Sequence, residues 1–416
     1  MRVYRLITCV LILTVPSSCI LTSEKQFELP THTLEVVETS TPAPEIEQSV
    51  TQPTQMPKET TVLRSLLGDD GQGEVATSVI ELEGGGFLVA GYDYGRSDSI
   101  SEWDALVMRI SPDGQEVWRR SSDRSGSEYA WVVREAGDNQ YVVVGTWESE
   151  DGDTDGYMQG IDADGNELWF RTYGGEKEEI LWAAETIPDG GFLLAGQTNS
   201  EGAGGLDFYI VRTDSDGDVL WSKAFGTSVT DRAFGIGLTP DGGALVAGFT
   251  GASKSTMNFF FLRINKDGRE LWRRTISGDR FDVAHDVLTL EDGGFAISGY
   301  SSSFSPGDHD GFLMRLTASG RMLWMKTYGN ERDDRILHVA QLDDGGFALV
   351  GYSDWDVVVW RVDAKGELIW SHRDGGRNTD VGKDIIVTHD GSIVVVGGNR
   401  SEDPPQDDII LLILTD

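Results

Sequence analysis

The residues of this chain able to do chemistry are mostly carboxylates. Asp151, Asp153 and Asp155, followed by Gly156 and by Asp162 at the twelfth position, carry the spacing of a calcium loop, in which alternating aspartates crowd oxygens into one turn. Calcium is the one cofactor this pattern admits, and no other is expected. Seven more acids, Glu74, Glu128, Glu179, Asp231, Asp282, Asp334 and Asp380, each stand ten residues before a tight turn. Arranged about an axis they would form a ring at a channel mouth and attract a cation. Alternatively each accepts backbone N–H bonds from the loop before its own strand. Repetition favours that structural role, because binding sites break symmetry. An EF-hand is excluded, since Tyr157 to Ile161 reads as a strand and would carry Asp162 away from the three aspartates.

Catalytic constellations are scarce. His285, His309, His338, His372 and His389 form no HxH or HExxH pair, and no GxSxG elbow occurs. Both cysteines, Cys9 and Cys19, lie near the N-terminus, so the folded part has no thiol nucleophile. No catalytic residue is assigned.

The regular placing of the acids comes from an internal repeat of about 50 residues. In the third copy an apolar run (Ile180 to Thr186) is followed by the turn Asp189, Gly190, Gly191 and a second run from Phe192 to Gly196. After a variable polar loop come Asp207, a third run to Thr213, the turn Asp216, Gly217, and Trp221 opening a fourth run. Short β-branched and aromatic runs bounded by Asp-Gly or Gly-Gly are hairpin chemistry. A second register agrees: Asp104, Asp155, Asp207, Asn258, Asp310 and Asp356 lie fourteen residues before Trp118, Trp169, Trp221, Trp272, Trp324 and Trp370. Length varies only between strands two and three, which marks a functional edge.

Four strands per repeat in seven copies predict an all-β, seven-bladed propeller. The seventh copy stops at Asp416 after its third strand, so Thr60 to Gly68 is expected to supply the fourth and latch the last blade. Its alignment with Glu167 to Gly175 puts Val62 at the tryptophan position. The six repeated tryptophans are read as packing between blades. Trp103, Trp147 and Trp355 lie in or beside variable loops and are the ligand-binding candidates, placed to stack on a sugar ring or anchor a protein.

The elements DGGFLLAG (Asp189 to Gly196), IDADGNELW (Ile161 to Trp169) and YGG (Tyr173 to Gly175) resemble the units of a broad group of bacterial and archaeal extracytoplasmic repeat proteins. The likeness runs from about Thr60 onward and implies a propeller. The Gly-x-x-x-Trp element is similar to quinoprotein propeller repeats, without a recognisable quinone site, and DGN is similar to bulb-type lectins, without their QxDxNxVxY pattern. Arg2 and Arg5 before an apolar stretch from Leu6 to Val15, then Ser17, Ser18 and Cys19, have the layout of a signal peptide (residues 1–19). Ser17 to Cys19 resemble the end of a lipobox, which implies lipid attachment at Cys19; Pro16 replaces the usual leucine, and ordinary secretion is the alternative.

Residues 20–60 are rich in Thr, Pro, Glu and Gln and read as a disordered tether, leaving 61–416 for the propeller. A formal charge of −35 excludes nucleic-acid binding and adsorption to anionic lipid. The expectation is an exported lipoprotein of the cell surface or outer envelope, monomeric, touching membrane only through its anchor. It would bind a protein or glycan through the variable-loop face. The alternative is a carbohydrate-active or quinone-dependent enzyme using that face.

Overall fold

The computed structural model describes residues 56–57, 60–68, 73–94, 103–122, 124–188, 190–253, 256–305, 308–376, 379–400 and 407–415. The signal peptide with Cys19, most of the tether, and Asp189 lie outside the described residues.

Among the described residues, twenty-eight strands, β1 (Thr61–Leu67) to β28 (Asp407–Thr415), form seven four-stranded sheets. Blade 3 is typical: β10 (Glu179–Thr186), β11 (Phe192–Thr198), β12 (Asp207–Thr213) and β13 (Val219–Phe225) pair antiparallel in chain order. The first strands are β2 (Gly73–Glu81), β6 (Ser127–Gly137), β10, β14 (Thr230–Leu238), β18 (Asp282–Thr289), β22 (Asp334–Gln341) and β26 (Asp380–Val387). Each packs against the first strand of the next blade, and β26 returns to β2, so these seven surround the axis.

The middle strands show no alternation because both faces of every sheet are covered. β11 and β12 are buried at every residue. The core therefore lies between blades. Leu193, Ala195, Phe208 and Ile210 of blade 3 interlock with Ala233, Ile236, Val246 and Phe260 of blade 4, with the rings of Phe208 and Phe260 meeting edge to face at 5.0 Å. Each fully buried side chain of this size contributes about 1.5–3 kcal/mol.

The repeated tryptophans sit in these gaps, half-buried except for Trp370, which is buried. Trp118, Trp169, Trp221, Trp272 and Trp324 each press on a turn glycine of the following blade, namely Gly165, Gly217, Gly268, Gly320 and Gly366. A Cβ on any of these would stand 2.5–2.9 Å from the nearest indole atom, and each glycine has positive φ. A basic side chain lies against four of the rings: Arg120, Arg171, Lys223 and Arg274 are 5.2–5.8 Å from the ring centres.

Closure follows the expected route with one correction. β1 pairs antiparallel with β28 from Thr61 opposite Thr415 to Leu67 opposite Ile409. Leu63, however, occupies the tryptophan position instead of Val62. It lies opposite Ile413 as Trp221 lies opposite Arg212, and its side chain meets Gly114 of blade 1. The link from Leu67 to Glu74 is one residue longer than the link from Tyr173 to Glu179, so aligning the glycines slipped the strand by one.

Two outcomes follow from this packing. A chain beginning at Thr60 should melt cooperatively and a chain beginning at Leu66 should not; equal melting would remove the latch. Trp221→Ala should cost about 3 kcal/mol, the low end for a large core aromatic because the indole is half-buried, as read by chemical denaturation.

Candidate functional site

Each first strand carries a β-bulge at the same place. Pairing with the second strand skips from Ala76 to Ser78, Ala130 to Val132, Leu181 to Ala183, Ala233 to Gly235, Ala284 to Asp286, Ile336 to His338 and Gly382 to Asp384. Bulges re-aim side chains, and the skipped residues are Thr77, Trp131, Trp182, Phe234, His285, Leu337 and Lys383. They form a belt on the strands around the axis. The second strand makes room with a glycine: a Cβ on Gly196 would lie 1.8 Å from the Ile180 carbonyl oxygen. That is the reason for the glycine ending DGGFLLAG.

The belt is symmetric in backbone and asymmetric in chemistry. Blades 2 to 4 supply aromatic rings. Trp182 meets Phe234 at 4.9 Å, and Phe234 stacks on His285 at 5.3 Å with 3° between planes. At the loop end, Trp131 stacks on Tyr129 (5.8 Å), and Tyr92 meets Tyr129 (5.4 Å) and Trp103 (5.2 Å). Between blades 2 and 3 these rings open onto a cavity of about 410 Å³ lined by Tyr129, Trp131, Ile180 and Trp182, with Thr146, Thr154, Glu148 and Glu178 on its rim. The Trp131 indole N–H donates to Thr146 Oγ1 at 3.0 Å, which fixes the ring.

Blades 5 to 7 supply charge. His338 Nδ1 lies 3.2 Å from Asp384 Oδ1 and 3.6 Å from Asp286 Oδ2. Both carboxylates are held by backbone donors of the neighbouring blade, Val79 N–H to Asp384 Oδ2 (2.9 Å) and Val339 N–H to Asp286 Oδ2 (3.1 Å). His285 Nδ1 donates to the Leu337 carbonyl at 3.0 Å, which sets its tautomer. Burial, reinforced by His338 and Lys383, pushes the His285 pKa down to about 3. Burial also lowers Lys383, and it raises Glu185, which pairs with Arg134 at 3.3 Å.

The seven registered acids are almost fully buried, at most 1% exposed, and most of them accept from the loop that precedes their strand, while Asp282 accepts from the loop after β19 (Phe295–Ser301). Gly175 N–H donates to Glu179 (2.6 Å), Thr227 N–H to Asp231 (2.7 Å), Ser303 N–H to Asp282 (3.3 Å), Asn330 N–H to Asp334 (2.7 Å) and Gly376 N–H to Asp380 (2.8 Å). Glu74 pairs with Arg119, and Glu128 with Arg124 at 3.2 Å. They are therefore sealed inside the rim, each bonded locally.

The three candidate tryptophans do not come together. Trp103 opens the third strand of blade 1 and joins the aromatic cluster. Trp147 lies within a strand and folds back, its indole N–H bonded to the Ser125 carbonyl (3.0 Å) and its ring against Phe170. Trp355 is 50% exposed at φ +69°, stacked on Tyr352 at 5.5 Å. Asp151 and Asp153 are exposed and Asp155 half-buried. Among the described residues, no three His, Cys, Asp or Glu side chains are grouped to hold a metal. Trp131, Trp182 and Phe234 belong to no sequence motif, and His285 and His338 stand out only as histidines without metal spacing. The signal available was their shared place, three or four residues after each registered acid, where composition varies from blade to blade.

No protein family model matches the chain, and no curated protein sequence matches it. Among solved structures, a catalytically inactive virginiamycin B lyase from Staphylococcus aureus with quinupristin aligns over 85% of this chain and 100% of its own, with TM-score 0.54 and 12% identity. Puromycin hydrolase aligns over 78% of this chain and 50% of its own, with TM-score 0.50 and 17% identity. A glucose dehydrogenase covers 85% and 99%, at 12% identity and TM-score 0.47. The two likenesses at 0.50 and above show the propeller fold.

His285 generates a pH prediction. Below about pH 6.5 the unfolded chain protonates this imidazole, whereas the folded chain resists until about pH 3, so its share of stability is complete above pH 6.5 and lost as pH falls. His285→Phe keeps the stack on Phe234 and removes the titration. The melting temperature of the variant relative to wild type should rise between pH 7.5 and pH 5. Parallel profiles would refute the assignment.

Proposed function

We propose that this protein is an exported binding module, held at the cell surface by the lipid on Cys19 and the 20–60 tether, that recognises a neutral or cationic glycan. The carrying observation is the aromatic cavity at the loop end of blades 2 and 3. Flat rings of Trp131, Trp182 and Tyr129 offer faces on which the C–H side of a pyranose packs, and Glu148 and Glu178 accept its hydroxyl donors. The aromatic sector appears in a few of seven blades, as a ligand site should. A formal charge of −35 disfavours polyanionic glycans and favours amino sugars.

A catalytic reading rests on one specific observation, the imidazole of His338 between Asp384 and Asp286 at the axis. An Asp-oriented imidazole is general-base machinery, and the same glycan would then be turned over.

A glycan array probed with the full chain, followed by calorimetry on the best binder, tests both. Trp131→Ala and Trp182→Ala should each weaken binding by about tenfold or more while Trp355→Ala leaves it unchanged. Binding insensitive to both blade 2 and blade 3 substitutions would discard the cavity. Product formation lost in His338→Gln would establish the catalytic reading.

A further inference from the structure

Two carboxylates confront each other in the gaps between blades. The acid opening the third strand of one blade faces the acid opening the first strand of the next. Between blades 3 and 4 these are Asp207 and Asp231, both 0% exposed; between blades 5 and 6 they are Asp310 and Asp334, at 2% and 0%. Hydrogen bonds satisfy only part of each pair. Asp207 Oδ2 accepts from the Ala203 and Gly204 N–H groups, and Asp231 Oδ2 from Thr227. Asp334 Oδ2 accepts from the Asn330 N–H and its Oδ1 from the Asn330 side-chain amide at 3.3 Å, so the unsatisfied oxygen of this pair is on Asp310. Asp207 Oδ1, Asp231 Oδ1 and Asp310 Oδ1 are buried and have no hydrogen-bond donor.

The space between each pair is kept open by a glycine. A methyl carbon on Gly226 would stand 1.9 Å from Asp207 Oδ1 and 2.7 Å from Asp231 Oδ2. One on Gly329 would stand 2.8 Å from both Asp310 Oδ1 and Asp334 Oδ2. The nearby guanidinium groups lend the pairs some positive charge but do not donate to the unpartnered oxygens: Arg273 donates to the Gly226 carbonyl and to Glu270, and Arg373 pairs with Asp356. Facing carboxylates in a low-dielectric gap repel, and a buried acceptor without a donor is costly. A bound cation relieves both terms at once.

We propose that the gaps at Asp207/Asp231 and Asp310/Asp334 are binding sites for a hard divalent cation, calcium, with two carboxylates per ion and the remaining coordination from backbone carbonyls and water. Oxygen-only donors exclude a preference for soft metals, and the irregular set suits calcium better than octahedral magnesium. Between blades 4 and 5 the first acid is replaced by Asn258, whose Oδ1 accepts the Gly278 N–H, so that gap has one carboxylate and no site. Asp155 has the same unpartnered Oδ1, beside Gly174 and the Glu179 strand. Its geometry is thus that of a blade junction, apart from the exposed Asp151 and Asp153.

Equilibrium dialysis of the full chain against calcium at pH 7.5, with thermal melts in calcium or magnesium at equal ionic strength, tests this. Wild type should retain more than one calcium per chain and melt several degrees higher in calcium than in magnesium. Asp207→Asn and Asp310→Asn, which keep the side-chain shape, should each lower the bound calcium by about one per chain. Asp151→Asn and Asp153→Asn should lower it by none. No retained calcium in wild type, an equal response to magnesium, or loss confined to the Asp151 and Asp153 variants would overturn the proposal. The wild-type dialysis decides the matter even where a variant does not fold.

Discussion

Everything in this molecule depends on the pairing of its first and last strands. Each sheet has two apolar faces, so a blade is stable only between two neighbours, and seven such wedges satisfy one another only in a closed ring. β28 brings Ile409, Leu411 and their neighbours into the gap between blades 7 and 1, where they meet Ala76, Val79, Val89 and Leu106. Without β1 alongside it, β28 would be a bare hydrophobic edge, the form of strand most prone to mispairing. The chain-end pairing also joins the N-terminal segment to the C-terminal blade, so closure is a long-range event that the local hairpins must await.

Closure positions the belt of bulged residues. The bulge in each first strand turns one side chain out of the sheet register, and the ring of first strands sets seven such side chains around the axis. The backbone device is constant, down to the glycine opposite each bulge, while the side chain it presents varies from Trp131 through His285 to Lys383. A repeat fold thereby separates two kinds of position: invariant ones hold the blades, and variable ones differ in chemistry from blade to blade.

The acidic composition has a structural component distinct from solubility. Glu179, Asp231, Asp334 and Asp380 cap the loops ahead of their own strands by accepting backbone N–H groups that a sealed rim would otherwise strand. Placing a second carboxylate across a blade junction, as at Asp207 and Asp310, creates the electrostatic strain that the proposed cation sites would discharge. Burial holds Asp310 up at about 6 in pKa, with the neighbouring Asp334 adding to it and Ser305 opposing.

The blade count, the four-stranded unit, the closing strand and the inter-blade tryptophans were all legible in the sequence, because each follows from local periodicity and turn chemistry. Fixed offsets between an acid, a glycine turn and a tryptophan depend only on strand length and hairpin type. The register of β1 was not legible, since it pairs with residues more than 340 positions away and no hairpin ties the two together. The site was less legible still. Trp131, Trp182, Phe234, His285 and His338 stand one per blade and form no local motif, and they become neighbours only when the ring brings their strands around one axis. The same holds for Asp207 with Asp231. Local sequence determined what each blade is; which side chains face one another across blades was decided by closure, because that proximity is a property of the ring and of no single repeat.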